Sequence, residues 1–334
     1  MTKMPQVSVV IIGRNEGERL EACIQSVQAI YVPQHSIEII YVDSNSTDGS
    51  PARAQALGTR VLTVNPARPA AAIGRNAGWQ AASAPYVLFL DGDTLLHPEF
   101  VNKALEVMAD DENIAIVWGH RRESFPNASL YQRVLDLDWV YPAGDSEFCG
   151  GDALMRRDVL KAVQGYNEEL IAGEEPEMCQ RIRALDYRIA HIDEPMTLHD
   201  LAITRWSQYW RRATRAGHAY AEISQRLKET DTPLWQKDAR KNLINAGVLS
   251  STALLSLLGS FAIDSYLPVL AYIGAFLLLS MRTAWKVRWK SFQYTTLFYY
   301  GIHSQFQHIP IAVGQLRYYW QRWRGKRQGL IEYK

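Results

Sequence analysis

Asp91-Gly92-Asp93 is the stretch best equipped for chemistry. The two carboxylates follow an apolar run, Tyr86 to Leu90. That run does not alternate, so it reads as a strand buried on both faces, with the acids where the strand ends. Ligands of an open α/β sheet bind outside the carboxyl ends of its strands. Acids at that place suit a hard cation, Mg²⁺ or Mn²⁺, which takes oxygen ligands from protein, water and substrate phosphates. A solvated Asp-Gly turn is the other reading, and the tripeptide alone does not separate the two.

The flanking pattern supplies what must position these acids. Val7 to Ile12, Ile37 to Val42 and Arg60 to Val64 read as strands. Helical spacing of Leu20, Cys23, Ile24 and Val27 predicts a helix over Glu18 to Val27, and another is expected from Ala70 to Ala82. Strands alternating with helices at this pace imply βαβ units and a mostly parallel sheet, so the fold class is α/β. Several loops then meet at one sheet edge. Asp43 there can accept from a base or a ribose hydroxyl, and Arg75 and Asn76 can reach a phosphate or the loop carrying the acids. No Gly-x-Gly-x-x-Gly follows the first strand and no Gly-Lys-Ser/Thr loop occurs, which disfavours a dinucleotide oxidoreductase and a P-loop enzyme.

Composition narrows the class further. The chain has 334 residues, 47% of them hydrophobic, enough for one large domain or two smaller ones. A formal net charge of +1 gives no global field for nucleic acid, and no nucleic-acid partner is expected. The three cysteines, Cys23, Cys149 and Cys179, lack metal spacing and fit a reducing compartment. Met1 to Pro5 is too short and polar for a signal peptide.

Taken together, these motifs resemble the family-2 glycosyltransferases of GT-A fold. The resemblance rests on Gly13-Arg14-Asn15-Glu16, on Val42-Asp43-Ser44-Asn45-Ser46-Thr47-Asp48, on Arg75 to Gly78 and on Asp91 to Asp93, in that order. It implies a nucleotide-diphosphate sugar held by Arg14, Asn15, Glu16, Asp43, Asn45, Arg75, Asp91 and Gly92. Ser44 stands where the family often has a second Asp. The resemblance extends to Gly150, Gly151 and Asp152, as a Gly-rich strand at Phe148 to Met155 beside the acceptor; an ordinary bulge is the alternative. It also extends to Gly173-Glu174-Glu175-Pro176-Glu177, followed by Arg181, where the second acid would take the acceptor's proton. By position the base is Glu175, with Glu174 open as the alternative because Glu replaces the usual Asp. Acids at a helix start are stabilised in the ionised form, so the base is expected to be deprotonated at neutral pH. His199 would complete a metal set with Asp91 and Asp93; a structural His is the other reading. Arg211 and Arg212 vaguely resemble a diphosphate clamp, with a solvated basic helix as the alternative.

The C-terminal part changes character. Leu243 to Ile263 and Tyr266 to Met281 carry no charge. A bilayer core asks for about 20 apolar helical residues. Lys237, Arg240 and Lys241 precede the pair, and Arg282, Lys286, Arg288 and Lys290 follow it, while the short turn between has neither Lys nor Arg. Both outer ends therefore read as cytoplasmic. A buried hairpin of a soluble protein is the alternative. Residues 291–315 either lie along the interface or cross as a third span. The aromatic and basic tail, Arg317 to Arg327, suits anionic headgroups.

The expected organisation is a catalytic GT-A domain over 1–230, a transmembrane hairpin over 231–290 and an interfacial region over 291–334. The expected protein is a multi-pass enzyme of the inner or plasma membrane with its catalytic domain in the cytoplasm. It would use Mg²⁺ or Mn²⁺ and move a sugar to a lipid-linked saccharide acceptor in cell-surface polysaccharide or glycolipid synthesis. Membrane lipids are expected partners, and a homo-oligomer is compatible with the sequence. A processive synthase and a non-catalytic nucleotide-sugar-binding scaffold are the alternatives.

Overall fold

The computed structural model describes residues 5–30 and 37–325. Lys326, Arg327 and the rest of the tail lie outside the described residues. The chain divides into two compact units. One comprises the chain through Ser124 plus Trp139–Asp200, and the other Phe125–Asp138 plus the chain from Leu201 onward.

The first unit is a nine-stranded sheet flanked by helices. Its strands are β1 (Val7–Gly13), β2 (Ile37–Asp43), β3 (Arg60–Thr63), β4 (Tyr86–Asp91), β5 (Thr94–Leu96), β6 (Ile114–Glu123), β7 (Gly144–Asp145), β8 (Ala153–Arg156) and β9 (Arg188–His199). The order is β3-β2-β1-β4-β8-β6-β9-β5, with β7 paired to β9. β1, β2, β3, β4, β6 and β9 run the same way, so the sheet is mixed but mostly parallel. β1 and β4 are central and nearly all buried, which is why both read as unbroken apolar runs. Their register pairs Ile12 with Asp91, and Gly13 pairs with Asp43 of β2. The carboxyl ends of three parallel strands are thus level, and the polar loops leave from one edge.

β6 runs beyond its apolar stretch, and β8 is shorter than the strand expected at Phe148 to Met155. β6 continues past Trp118 through His120-Arg121-Arg122-Glu123, because these charged residues stay paired with β9. Its register slips between Trp118 and His120 and again between His120 and Arg121. Bulges of this kind bend a strand and re-aim its side chains. β8 begins only at Ala153, because Gly150 takes a φ of 81°, incompatible with a strand.

The helices of this unit are α1 (Glu18–Gln28), α2 (Ser50–Ala56), α3 (Ala71–Ala81), α4 (Phe100–Asp110), α6 (Arg157–Ala162) and α7 (Glu174–Arg183), with α5 (Leu130–Asp136) belonging to the other unit. α1 buries Leu20, Cys23, Ile24 and Val27, the stripe that its spacing predicts. α3 lies close on β1. A Cβ added to Gly78 would stand 2.1 Å from Val10 Cγ1.

The second unit is helical: α5, α8 (Trp206–Arg226), α9 (Gln236–Ala262), α10 (Leu267–Lys286), α11 (Tyr294–Phe306) and α12 (His308–Trp323). α8 and α12 touch backbone to backbone, since a Cβ on Gly217 would meet Ile311 O at 2.0 Å. α9 and α10 have mean hydropathies of 1.5 and 1.6 over their most apolar windows, and only 6% of each window is buried. That burial does not fit a core hairpin. Residues 291–315 form α11 and the first half of α12, which bury Tyr300, His303, Ile311 and Gln315; among the described residues, the two helices apolar and long enough to span are α9 and α10.

The Gly78 contact yields a stability test. Gly78→Ala should destabilise by about 1–3 kcal/mol through overpacking. Adding Val10→Ala should recover part of that loss in denaturant melts. No recovery would show that the close approach is not the cause.

Candidate active site

At the ends of β1 and β2 the two loops are stitched together. Asn15 N–H donates to Ser46 Oγ (2.9 Å), and Asn15 Oδ1 accepts from Thr47 N–H (2.8 Å). Asn15 and Asn45 both adopt positive φ, 57° and 61°, a conformation that Asn tolerates better than most residues. Asp43 is buried and accepts from Tyr41 Oη and Ser46 N–H, each at 2.9 Å. Glu16 pairs with Arg19 at 2.7 Å, and Arg14 is exposed. Asn76 faces inward, donating to Tyr166 O and Glu168 Oε1.

The turn after β4 is held by Gly92 N–H donating to Ile12 O (2.8 Å) and by Thr94 Oγ1 donating to Asp91 O (2.7 Å). β5 then pairs antiparallel with β9, and its register sets Thr94 opposite His199. That pairing delivers His199 to the acids. His199 Nε2 lies 3.2 Å from Asp93 Oδ1. Asp91, Asp93 and His199 each offer a ligand atom, all within 4.8 Å of one another. Burial, with the Arg121 charge acting the same way, pushes the His199 imidazole down to about 4. It is therefore neutral at ordinary pH and keeps a lone pair. Its Nδ1 is buried and makes no hydrogen bond. Ligands of one Mg²⁺-sized ion, each at about 2.1 Å, lie at most about 4.2 Å apart, so small shifts suit this set to such a cation. Two carboxylates and one neutral imidazole are a fitting donor set.

Behind Asp91 stands a buried guanidinium. Arg75 Nη2 donates to Asp91 Oδ1 (2.9 Å) and its Nη1 to Glu174 Oε1 (2.7 Å). Arg75 thereby links α3, the end of β4 and the start of α7. Asp152 accepts from Asp91 N–H (3.1 Å) and from Thr197 Oγ1 (2.9 Å), so it braces the same turn. Gly151 leaves room for this packing: a Cβ there would meet Arg75 Nη2 at 2.9 Å and Asp91 Oδ2 at 3.0 Å.

Glu175 faces a different set of donors. Its Oε1 accepts from Cys149 N–H (2.7 Å) and Cys179 Sγ (3.2 Å). Burial raises its carboxyl above the ordinary value, against the pull of the Cys149 and Gly150 N–H groups and the thiols. The helix start therefore does not dominate its titration, as the sequence had suggested; desolvation does. Burial also pushes the Cys179 thiol up to about 11, so it stays a donor.

Arg211 and Arg212 lie on α8 of the second unit. Arg211 Nε donates to Ser207 O at 3.3 Å. Burial alone would raise the Asp138 carboxyl in that unit; His303, Arg212 and Tyr300 overcome it and hold it below the usual range. Arg121 and Trp139, which the sequence reading passed over, both stand in the cluster of the first unit. Arg121 Nη2 donates to Asp91 Oδ2 at 3.3 Å, and its guanidinium lies 4.9 Å from the Trp139 ring centroid. Only the interruption of β6 by charged residues could have flagged Arg121.

Residues 8–163 match the model of glycosyl transferase family 2. That segment, just under half of the chain, carries the family's pattern. Among similar proteins, the glycosyltransferase AglE of Haloferax volcanii is 22% identical over 59% of this chain and 67% of its own length. The succinoglycan biosynthesis protein ExoA of Rhizobium meliloti is 27% identical over 56% of this chain and 60% of its own length. The alignments thus span about three fifths to two thirds of these relatives. A solved structure, the mannosyltransferase PcManGT from Pyrobaculum calidifontis in complex with GDP-Man and Mn²⁺, superposes with a TM-score of 0.66 at 21% identity. The match covers 94% of this chain and 88% of that one, and it establishes the GT-A fold.

The Arg75 bridge is a measurable weak point of the site. Arg75→Met should cost about 3–5 kcal/mol, because it strands carboxylates that the guanidinium neutralises. Glu174→Gln on that background should recover part of the loss in a double-mutant cycle. Additive losses would show that the pair is not coupled.

Proposed function

We propose that this chain is a metal-dependent, inverting glycosyltransferase. It moves a sugar from a nucleotide-diphosphate donor to a hydroxyl of a lipid-linked saccharide acceptor. The observation that carries the reading is the convergence of Asp91, Asp93 and a neutral His199 on one sheet edge. The Mn²⁺ and GDP-Man of the similar mannosyltransferase support it. A bound divalent cation, held by Asp91, Asp93 and His199, would neutralise charge on the diphosphate leaving group.

The chain's own groups do the rest. The loops at Asn15, Asp43 and Asn45 present polar groups for the nucleoside. Glu175 takes the proton of the acceptor hydroxyl as that oxygen bonds to the anomeric carbon. The bond from that carbon to the diphosphate oxygen breaks, and the nucleoside diphosphate leaves. Glu175 is preferred to Glu174 because Glu174 is spent on Arg75, whereas burial tunes the Glu175 carboxyl upward toward the working pH of a base. Arg211 and Arg212 stay a proposal for contacts to the diphosphate.

Membrane attachment through α9 and α10 is part of the reading. It is supported by their length, hydropathy and exposed Leu254, Leu255, Phe261, Leu267 and Leu270. The cations at the outer ends favour a cytoplasmic catalytic unit. A membrane-bound enzyme would meet a lipid-linked acceptor at the surface where it is anchored, and cell-surface glycan or glycolipid synthesis is the process proposed for it.

Nucleotide release from a panel of UDP-, GDP- and dTDP-sugars, with lipid extract as acceptor, tests the class. One donor should turn over, and both chelation and Asp93→Asn should stop it. Metal-independent release would remove the cation from the reaction. A pH series tests the base. The acid limb should lie above the ordinary glutamate range, with activity lost as pH falls and Glu175 takes up a proton. Glu175→Gln should cut transfer by about 10²–10⁴-fold. Stability at neutral pH should not fall, because folding disfavours the ionised form that the substitution removes. A wild-type rate in that variant would assign the base elsewhere.

A further inference from the structure

The charge inventory around Asp91 contains two guanidinium groups that are not equivalent. Arg75 has a side chain 5% exposed and spends two of its nitrogens on Asp91 and Glu174. Arg121 has a side chain 14% exposed. A guanidinium has five N–H donors. Among the described residues, Arg121 uses one, in the 3.3 Å contact of Nη2 with Asp91 Oδ2. Its Nε is buried in a long ion pair with Asp152 Oδ2, 3.6 Å away, and, like Arg75 Nε, makes no hydrogen bond. What sets Arg121 apart is that its terminal nitrogens make a single, long hydrogen bond on the more exposed of the two side chains, which leaves N–H donors for another acceptor.

The fold aims this fork deliberately. The slips in β6 fall immediately before Arg121 and set it opposite Thr197 of β9. Its guanidinium rests over the Trp139 ring, and Trp139 meets His199 edge-on with centroids 5.1 Å apart. A cation held over an indole face keeps its orientation without using its N–H donors. The donors stay available for a planar, bidentate anion, and the guanidinium fork matches phosphate oxygens in this way.

We propose that Arg121, oriented by Trp139, is the phosphate ligand for the donor's diphosphate. It would exchange its long contact with Asp91 for phosphate oxygens and free Asp91 Oδ2 for the cation. This rests on the reading of the site as a nucleotide-diphosphate-sugar site. The role that the sequence pattern suggested for Arg75 at a phosphate passes to Arg121, and Arg75 becomes the brace.

The test is calorimetric titration of the full chain in detergent. The probes are Mn²⁺ alone, then UDP, GDP, UMP and GMP with Mn²⁺ present. Wild type should bind one diphosphate more tightly than its monophosphate. Arg121→Met should weaken that diphosphate at least tenfold, the monophosphate less than threefold, and leave Mn²⁺ binding equal or tighter. Arg121→Lys should restore part of the diphosphate affinity, which separates charge from folding damage. Trp139→Ala should reproduce a smaller loss of the same selectivity, and Trp139→Phe should retain most of it. Equal losses for diphosphate and monophosphate, or an unchanged diphosphate affinity in Arg121→Met, would overturn the assignment. Wild type binding none of the nucleotides would instead remove the donor class itself, and the assignment with it.

Discussion

A single buried guanidinium governs the first unit. Arg75 ties Asp91 to Glu174, and so ties the end of β4 to the beginning of α7. These acids come from distant parts of the chain, and like charges that approach without a cation repel. Burial makes the arrangement demanding, because ions removed from water must be repaid by geometry. Arg75 meets that demand with short contacts on both sides. Its charge offsets the repulsion between the carboxylates it bridges. Asp152 and Thr197 complete the brace through the backbone of Asp91.

Around that brace, the two kinds of carboxylate are given different surroundings. Asp91 and Asp93 face a neutral imidazole and cations, the setting of a charge-binding edge. Glu175 faces N–H groups and protonated thiols within the core, where burial acts on the carboxyl more strongly than the helix start. Environment thus gives acids that look alike in the sequence different electrostatic settings. Cys149 and Cys179 belong to this second setting, with sulfurs 3.7 Å apart, and both are free thiols.

The second unit answers to another constraint. α8 and α12 are held by contact at Gly217, where backbone meets backbone. α9 and α10 do the opposite and leave their apolar side chains outside the unit. A helix pair with so much exposed Leu and Phe suits an apolar surrounding of the kind a lipid bilayer supplies.

Much of this was legible in the chain. The unbroken apolar runs at Val7 and Tyr86 announced central strands, and the stripe of Leu20, Cys23, Ile24 and Val27 announced α1, because local periodicity follows directly from burial. Asp91 and Asp93 were legible for the same reason: they interrupt an apolar run at its end. His199 was legible only as a suggestion, since nothing local links it to Asp93; the antiparallel pairing of β5 with β9 made that link. Arg121 was marked only by the charged interruption of an apolar run, and its aim was not legible, because that depends on slips in the register of β6 against a strand some seventy residues away. Which of Glu174 and Glu175 meets Arg75 and which meets Cys149 was likewise not legible, as two adjacent helical residues point apart and packing decides their partners. Composition and spacing determine what each segment can become, since they act over a few residues. Partners, desolvation and the charge that a side chain carries are decided by tertiary structure, since they depend on atoms the chain brings together from far apart.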